Sequence, residues 1–380
     1  MSRLTCCFVI LASATLGCAT PGSSGTSGTA EPARAAAAPA LAAVTLPAAS
    51  PEFSAAARAL DGEVRRHIAD RGPARDGYVH GMDVATLLLY AAQRGDAELY
   101  DKLMPAAQIL IQQNPDDPYT TGFVLQRTAA GAKPAQSGAA EALWMARALW
   151  TGASRFGSEA DRKLALAILD GYAKHAYTLQ EVWLARRSFD FRTRSFAGLS
   201  VLPAYHGDFL AQAERSARQT EWRGFAERSY VLLEHAVTPS HLLLPVIQPE
   251  IGASYPGTGL ELYAPNSLSS LEDSCLGAEG ATAALPNIAS GLLEFAVAQA
   301  RKGALRALYS TEDGRAGGEL PLSGAGYACL DRLAATLGQG DALAVLDPRV
   351  TAAMQALART RTQLPTAGPL LLAAQARGAF

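Results

Sequence analysis

Five side chains stand where the chain passes from polar, turn-forming residues into apolar runs. His80 and Asp83 precede Val84 to Ala92, which is apolar almost all round. Glu141 opens a second run that carries Leu143, Trp144, Ala146, Ala148, Leu149 and Trp150. Glu272 and Asp273 follow a loop rich in Asn, Ser and Tyr. These residue types do acid–base work. A histidine titrates near neutral pH, and His80 lies three residues from Asp83, close to it once a helix has begun. Carboxylates at helix mouths also sit where the helix offers spare N–H groups and partial positive charge, which suits polar ligands. Each has an ordinary alternative: Asp83 and Glu141 as helix caps, Glu272 and Asp273 as a solvated helix start, His80 as a satisfied polar residue.

The elements that must position them read as helices. Ala and Leu dominate and β-branched residues are sparse, which favours helix over strand. Phe53, Ala57, Leu60, Val64 and Ile68 recur at helical spacing within 51–70. Further helices are predicted over 84–93, 97–113, 138–151, 158–176 (Ser158 as cap), 200–213, 222–236, 289–302, 327–337 and 348–360, without convincing strands. The Pro- and Gly-rich stretch 238–270 reads as long loops. Apolar and amphipathic helices alternate, which suits inner helices wrapped by outer ones: an all-α (α/α)6 toroid whose inner-helix mouths share one face. A helical solenoid would read much the same.

The 380 residues carry 33 basic and 35 acidic side chains, which argues against a nucleic-acid partner and gives no polybasic membrane patch. Residues 1–18 read as a lipoprotein-type signal: Arg3, an apolar run to Leu16, then Cys18. The ending Thr15-Leu16-Gly17-Cys18 resembles a bacterial lipobox with Thr in place of the usual Leu, and Ala19 after the cysteine implies outer-membrane sorting. Residues 19–50, rich in Ala, Pro, Gly, Ser and Thr, read as a flexible tether, and 51–380 as one toroid domain. Lipidation at Cys18 would anchor that domain to a membrane. Two cysteines remain within it, Cys275 and Cys329; a disulfide and two separate thiols are both compatible with the sequence. HExxH, CxxC, Gly-x-Ser-x-Gly and a Gly-rich phosphate loop are absent, so no cofactor and no metal site is expected.

The order of segments resembles glycoside hydrolase family 8, the endoglucanase-like (α/α)6 barrels. That family opens with Ser-Glu-Gly-x-x-Tyr-Gly-Met before an apolar helix; here His80-Gly81-Met82 precedes Val84, followed by Gly95-Asp96 and Tyr100-Asp101-Lys102-Leu103. Its Asp-Ala-Asp-Leu helix is matched by Ala140-Glu141-Ala142-Leu143, and a later segment by Leu202-Pro203-Ala204-Tyr205, Trp222 and Tyr230-Val231-Leu232-Leu233. The likeness spans roughly 60–300 and is carried mostly by apolar helix residues. It departs at the acids. The family's general acid is aligned with His80, its Asp-x-Asp pair falls on Ala140 and Ala142 around Glu141, and its Tyr-Asp-Ala-x-Arg has only Tyr263-Ala264-Pro265-Asn266 nearby. The resemblance implies a polysaccharide ligand held by aromatic and polar groups, with Tyr78, Tyr205, Tyr263 and Asn266 as candidates and Tyr119 and Tyr255 near the same loops. Hydrolysis would need two carboxylates in different environments. The expectations are therefore a domain that binds or hydrolyses a bacterial polysaccharide, an inactive glycan-binding or assembly accessory, or a helical scaffold whose concave face holds protein. The last requires an open superhelix without a polar centre. The basic run Arg186 to Arg194 reads mainly as a solvated face.

Overall fold

The computed structural model describes residues 48–129, 131–179, 182–196, 200–217, 221–245, 268–360 and 362–380. Twelve α-helices lie among them: α1 Pro51–Arg71, α2 Gly81–Arg94, α3 Ala97–Leu110, α4 Ala139–Phe156, α5 Glu159–Ala173, α6 Gly207–Glu214, α7 Phe225–Ala236, α8 Leu271–Glu279, α9 Pro286–Lys302, α10 Gly324–Thr336, α11 Gly340–Arg359 and α12 Gly368–Ala376. The even-numbered helices form an inner ring. α2 packs on α4, α8 on α10, α10 on α12, and α12 back on α2, while the 202–204 turn leading into α6 bridges α4 and α8. The odd-numbered helices pack outside them, and α1 closes the outer layer against α11. This is the (α/α)6 toroid. Closure of α12 onto α2 overturns the scaffold reading, which needs an open superhelix.

Local chemistry explains where the helices start. Ser50, Asp96, Ser158, Ser270 and Ser323 each accept a backbone N–H three residues on, satisfying donors that the first helical turn leaves free. Gly95 and Gly157 end α2 and α4 in the left-handed conformation that suits glycine. The all-round apolar α2 is inner and buried from Val84 to Ala92.

The expectation of no strands needs correction. Ten short strands lie among the described residues: β1 Ala74–Arg75, β2 Tyr78–His80, β3 Arg127–Thr128, β4 Gln136–Gly138, β5 Ala176–Leu179, β6 Val182–Ala185, β7 Ser188–Asp190, β8 Ser195–Phe196, β9 Leu268–Ser270 and β10 Leu308–Ser310. They form antiparallel ribbons, β1-β2-β3, β4-β7-β8, β5-β6 and β9-β10, and β2, β4 and β9 each run directly into an inner helix. At two to four residues they are too short for alternation to show in sequence. Two helices also fell outside the expectation: α8, which begins directly after the loop-like region, and α12. The helix predicted from Pro348 begins eight residues earlier, at Gly340, with Pro348 inside it. Among the described residues no helix is long and apolar enough to cross a membrane.

Candidate active site at the inner-helix mouths

The N-termini of α2, α4, α8, α10 and α12 gather at one end of the ring, and the strands entering them fix the backbone there. The segment 124–126 ties the first two together. Gly81 N–H donates to the Gln126 carbonyl (2.8 Å), and Gly138 N–H donates to the Val124 carbonyl (2.9 Å). A Cβ at either glycine would meet a neighbour, backbone at Gly81 and a side-chain end at Gly138. A Cβ on Gly81 would lie 2.6 Å from the Leu125 carbonyl oxygen and 2.9 Å from Glu141 Cγ. A Cβ on Gly138 would lie 1.7 Å from Glu141 Oε2. The Glu141 side chain therefore occupies the room these two glycines leave. Burial pushes its carboxyl up from the usual range, against the smaller opposing pull of its own backbone N–H and of the Arg187 charge.

The Arg187 charge acts on both Glu141 and Asp273, at the start of α8. Asp273 is raised chiefly by burial and by the neighbouring Glu272, while Arg187 and the Ser270 hydroxyl oppose the rise. Glu272 accepts the Ser323 hydroxyl across the α8–α10 interface at 2.5 Å. Asp83 and Glu272 line one axial cavity of about 250 Å³, together with Met82, Thr86, Trp144 and Arg332. Tyr78 stands 40% exposed at this end, with the Arg127 guanidinium over its ring at 4.8 Å.

Several sequence-level candidates take different roles. Asp83 is neither a cap nor a partner of His80: its Oδ2 accepts from Arg75 Nε at 2.6 Å. His80 is the N-cap residue of α2 but makes no side-chain cap bond. Its ring packs edge-on to Tyr78, and burial, then the Arg75 charge, lowers its pKa. The placement of the family's general acid on His80 is also corrected. Counted back from Gly81-Met82, the glutamate of Ser-Glu-Gly-x-x-Tyr-Gly-Met falls on Asp76. Asp76 and Gly77 both have positive φ, 51° and 79°, and form the two-residue hairpin turn between β1 and β2. The Asp76 side chain is 64% exposed.

Tyr205 is corrected as a sugar-contacting residue. It is fully buried; its hydroxyl accepts the Ala185 N–H at 2.9 Å and shares a 2.6 Å hydrogen bond with Ser200, so no ring face is free. Tyr263, Asn266, Tyr255 and the lipidation candidate Cys18 lie outside the described residues. Cys275 on α8 and Cys329 on α10 are joined by a disulfide between neighbouring inner helices.

Sequence reasoning missed Arg75 and Arg332, which reach the carboxylates of Asp83 and Glu279 from separate segments that no spacing rule connects. Arg332 is the more buried of the two. Its Nε and Nη2 donate to Glu279 at 2.9 and 2.6 Å, and its Nη1 donates to the Pro369 carbonyl. Burial alone would raise Glu279, but the charge and hydrogen bonds of Arg332, with Arg147 and His206 adding to them, hold it at about 2. His206, beside them, is lowered to about 3 by burial and then by Arg147. Among the described residues no group of three or more His, Cys, Asp or Glu could hold a metal ion.

No protein-family model matches the chain, and no curated protein matches it. Solved structures do. An alpha-amylase from Clostridium perfringens superposes with a TM-score of 0.61 at 17% identity, covering 79% of this chain and 87% of that one. The endo-1,4-D-glucanase from Vibrio fischeri ES114 gives 0.61 at 12%, covering 82% and 93%. A GH8 protein from Teredinibacter turnerae, solved as a xylobiose complex, gives 0.52 at 13%, covering 87% and 97%.

Proposed function

From the premise that the chain has a divergent family 8 glycoside-hydrolase-like barrel, we propose that its inner-helix mouths bind a bacterial polysaccharide and hydrolyse it. One observation carries the reading: Glu141, Glu272 and Asp273 stand in the first turns of two inner helices at the same end of the ring, burial raises Glu141 and Asp273, and Glu272 lines the axial cavity. Glycoside hydrolysis uses one carboxyl that holds its proton and a second that is ionised. Glu141 is the proton donor in this reading, because the pocket between Gly81 and Gly138 keeps its carboxyl from ionising readily. Glu272, accepting the Ser323 hydroxyl and facing the cavity, is the carboxylate that acts on water or the sugar. Tyr78 offers an aromatic face for a pyranose. In the cell, the domain would be held at the outer membrane through Cys18 and the 19–50 tether.

A second reading, glycan binding without cleavage, is favoured by Asp83. It is the aspartate lining the cavity, and the Arg75 ion pair occupies it. Reducing-end release from a panel of β-glucans and bacterial exopolysaccharide separates the two. Hydrolysis predicts release that falls 10²- to 10⁴-fold in Glu141→Gln and Glu272→Gln, the usual range for general acid–base groups. Glycan binding with no release in the wild type would leave only the binding function.

A further inference from the structure

The short strands form a rim around the α2 and α4 mouths. β1, β2 and β3 lie side by side, Leu125 bridges Ser137, and β4 carries the rim on into β7 and β8. Two arginines of this rim flank the Glu141 pocket. Arg127 stands opposite His80, the residue before α2, and its guanidinium lies over the Tyr78 ring. Arg187 stands at the start of α4, where its carbonyl accepts the Ala139 N–H at 3.0 Å. Its charge acts on Glu141 and on Asp273 of α8, which places its guanidinium at the mouth.

The other rim arginines have partners. Arg75 is taken by Asp83 and Arg194 by Asp117, while Arg186 stacks over Tyr177 and Phe196. The basic run Arg186 to Arg194 is therefore not one solvated face. Arg127 and Arg187 are exposed and form no ion pair among the described residues. The acids nearest Arg187 answer it weakly, because burial drives both Glu141 and Asp273 towards their neutral forms. Asp190 accepts the backbone N–H groups of Arg192 and Thr193. The first turns of the inner helices add partial positive charge at the same end.

We infer that these mouths take an anionic polysaccharide whose sugars carry carboxylates, with Arg127 and Arg187 each holding one on either side of the Glu141 pocket. This rests on the reading that the mouths hold glycan, and it names the class. A planar guanidinium pairs with a carboxylate through two parallel hydrogen bonds, and stacking on Tyr78 holds that of Arg127 in place beforehand. One charge per sugar also keeps repulsion from Glu272 and the exposed Asp76 small.

Isothermal titration of the full chain tests it. The probes are hexameric oligoglucuronate, oligogalacturonate and oligomannuronate, each beside its carboxyl-reduced counterpart, with hexaglutamate and sulfated cellohexaose as anionic controls. At least one uronate is expected to bind about 10-fold more tightly than its reduced counterpart, the low end for a hydrogen bond to a charged group, and more tightly than both controls. The preference should shrink between about 0.05 and about 0.5 M NaCl, since exposed charges are screened. Arg127→Gln and Arg187→Gln should each narrow it several-fold, and Arg228→Gln, on the outer helix α7, should leave it unchanged. Both rim side chains are exposed, so the variants keep the fold. Reduced oligosaccharides binding as tightly as every uronate, a control binding as tightly as the best uronate, or a preference unmoved in both rim variants overturns the inference while leaving glycan binding in place. Binding of no oligosaccharide of either kind overturns it together with the proposed function.

Discussion

Replacing Arg332 by Met removes the cation that neutralises Glu279 and keeps an apolar stem of similar length. In the native barrel the pair is bidentate at 2.9 and 2.6 Å, with the side chains 8% and 13% exposed. Loss of one partner from a buried ion pair costs about 3–5 kcal/mol, because the remaining charge stays desolvated. The titration of Glu279 gives an independent magnitude. Its carboxyl falls from an ordinary 4.5 to about 2, which corresponds to about 3 kcal/mol of stability. Because the folded value is the lower one, that stability is complete above pH 4.5 and is lost as pH falls towards 2. Urea denaturation of wild type and Arg332→Met, compared at each pH, cancels other titrating groups such as the buried His175. The expected gap is about 3–5 kcal/mol at pH 7 and shrinks steadily below pH 4.5. The double variant Glu279→Gln/Arg332→Met should recover most of the loss, since no buried charge is stranded. A gap below about 1 kcal/mol at pH 7, or one that does not change down to pH 3, would refute the assignment of Arg332 and Glu279 as a buried, charged pair.

Further outcomes follow from other contacts. Gly138→Ala should push the Glu141 carboxyl from its pocket, lowering glycan hydrolysis at least 10-fold while urea midpoints move little, because the colliding atom is the end of a flexible side chain. Gly122→Ala should cost more than about 2 kcal/mol in the same assay: φ is +85°, and the new Cβ would meet the Ala167 carbonyl oxygen at 2.0 Å, backbone that cannot yield. Cys275→Ser/Cys329→Ser should cost about 4 kcal/mol, the loop-closure value for a sequence separation of 54. A proton donor must keep its proton, so hydrolysis should decline as pH rises through the raised Glu141 value. A pH–rate profile that keeps an unchanged alkaline limb in a residually active Glu141→Gln would assign that limb to another group.

The fold was legible where the period was long and the ends were marked. The all-round apolar run Val84 to Ala92 announced an inner helix, and Ser158 with Asp161 three residues on marked the start of α5. α12 escaped because its nine largely apolar residues, beginning with Gly368-Pro369, show neither an amphipathic stripe nor a polar cap. The placement of acids at helix mouths could be read, since each stands just before an apolar run. Their partners could not be. Arg75 meets Asp83 across a hairpin, Ser323 meets Glu272 from 51 residues away, and Arg332 meets Glu279 from 53. Only ring closure brings such groups together. Tyr205 misled for the same reason: a tyrosine beside Pro and Ala looks loop-borne, but the 202–204 turn buries it in the wall.

The most direct measurement is a structure of Glu141→Gln with a β-glucan oligosaccharide that the wild type cleaves, or with the tightest-bound oligosaccharide if none is cleaved. The account predicts sugar rings across the inner-helix mouths, with a glycosidic oxygen within hydrogen-bonding reach of residue 141, Glu272 on the other side of the bond, and Tyr78 against a pyranose face. Sugar bound elsewhere on the barrel, or spanning the mouths with residue 141 and Glu272 both out of reach of any glycosidic bond, would contradict it.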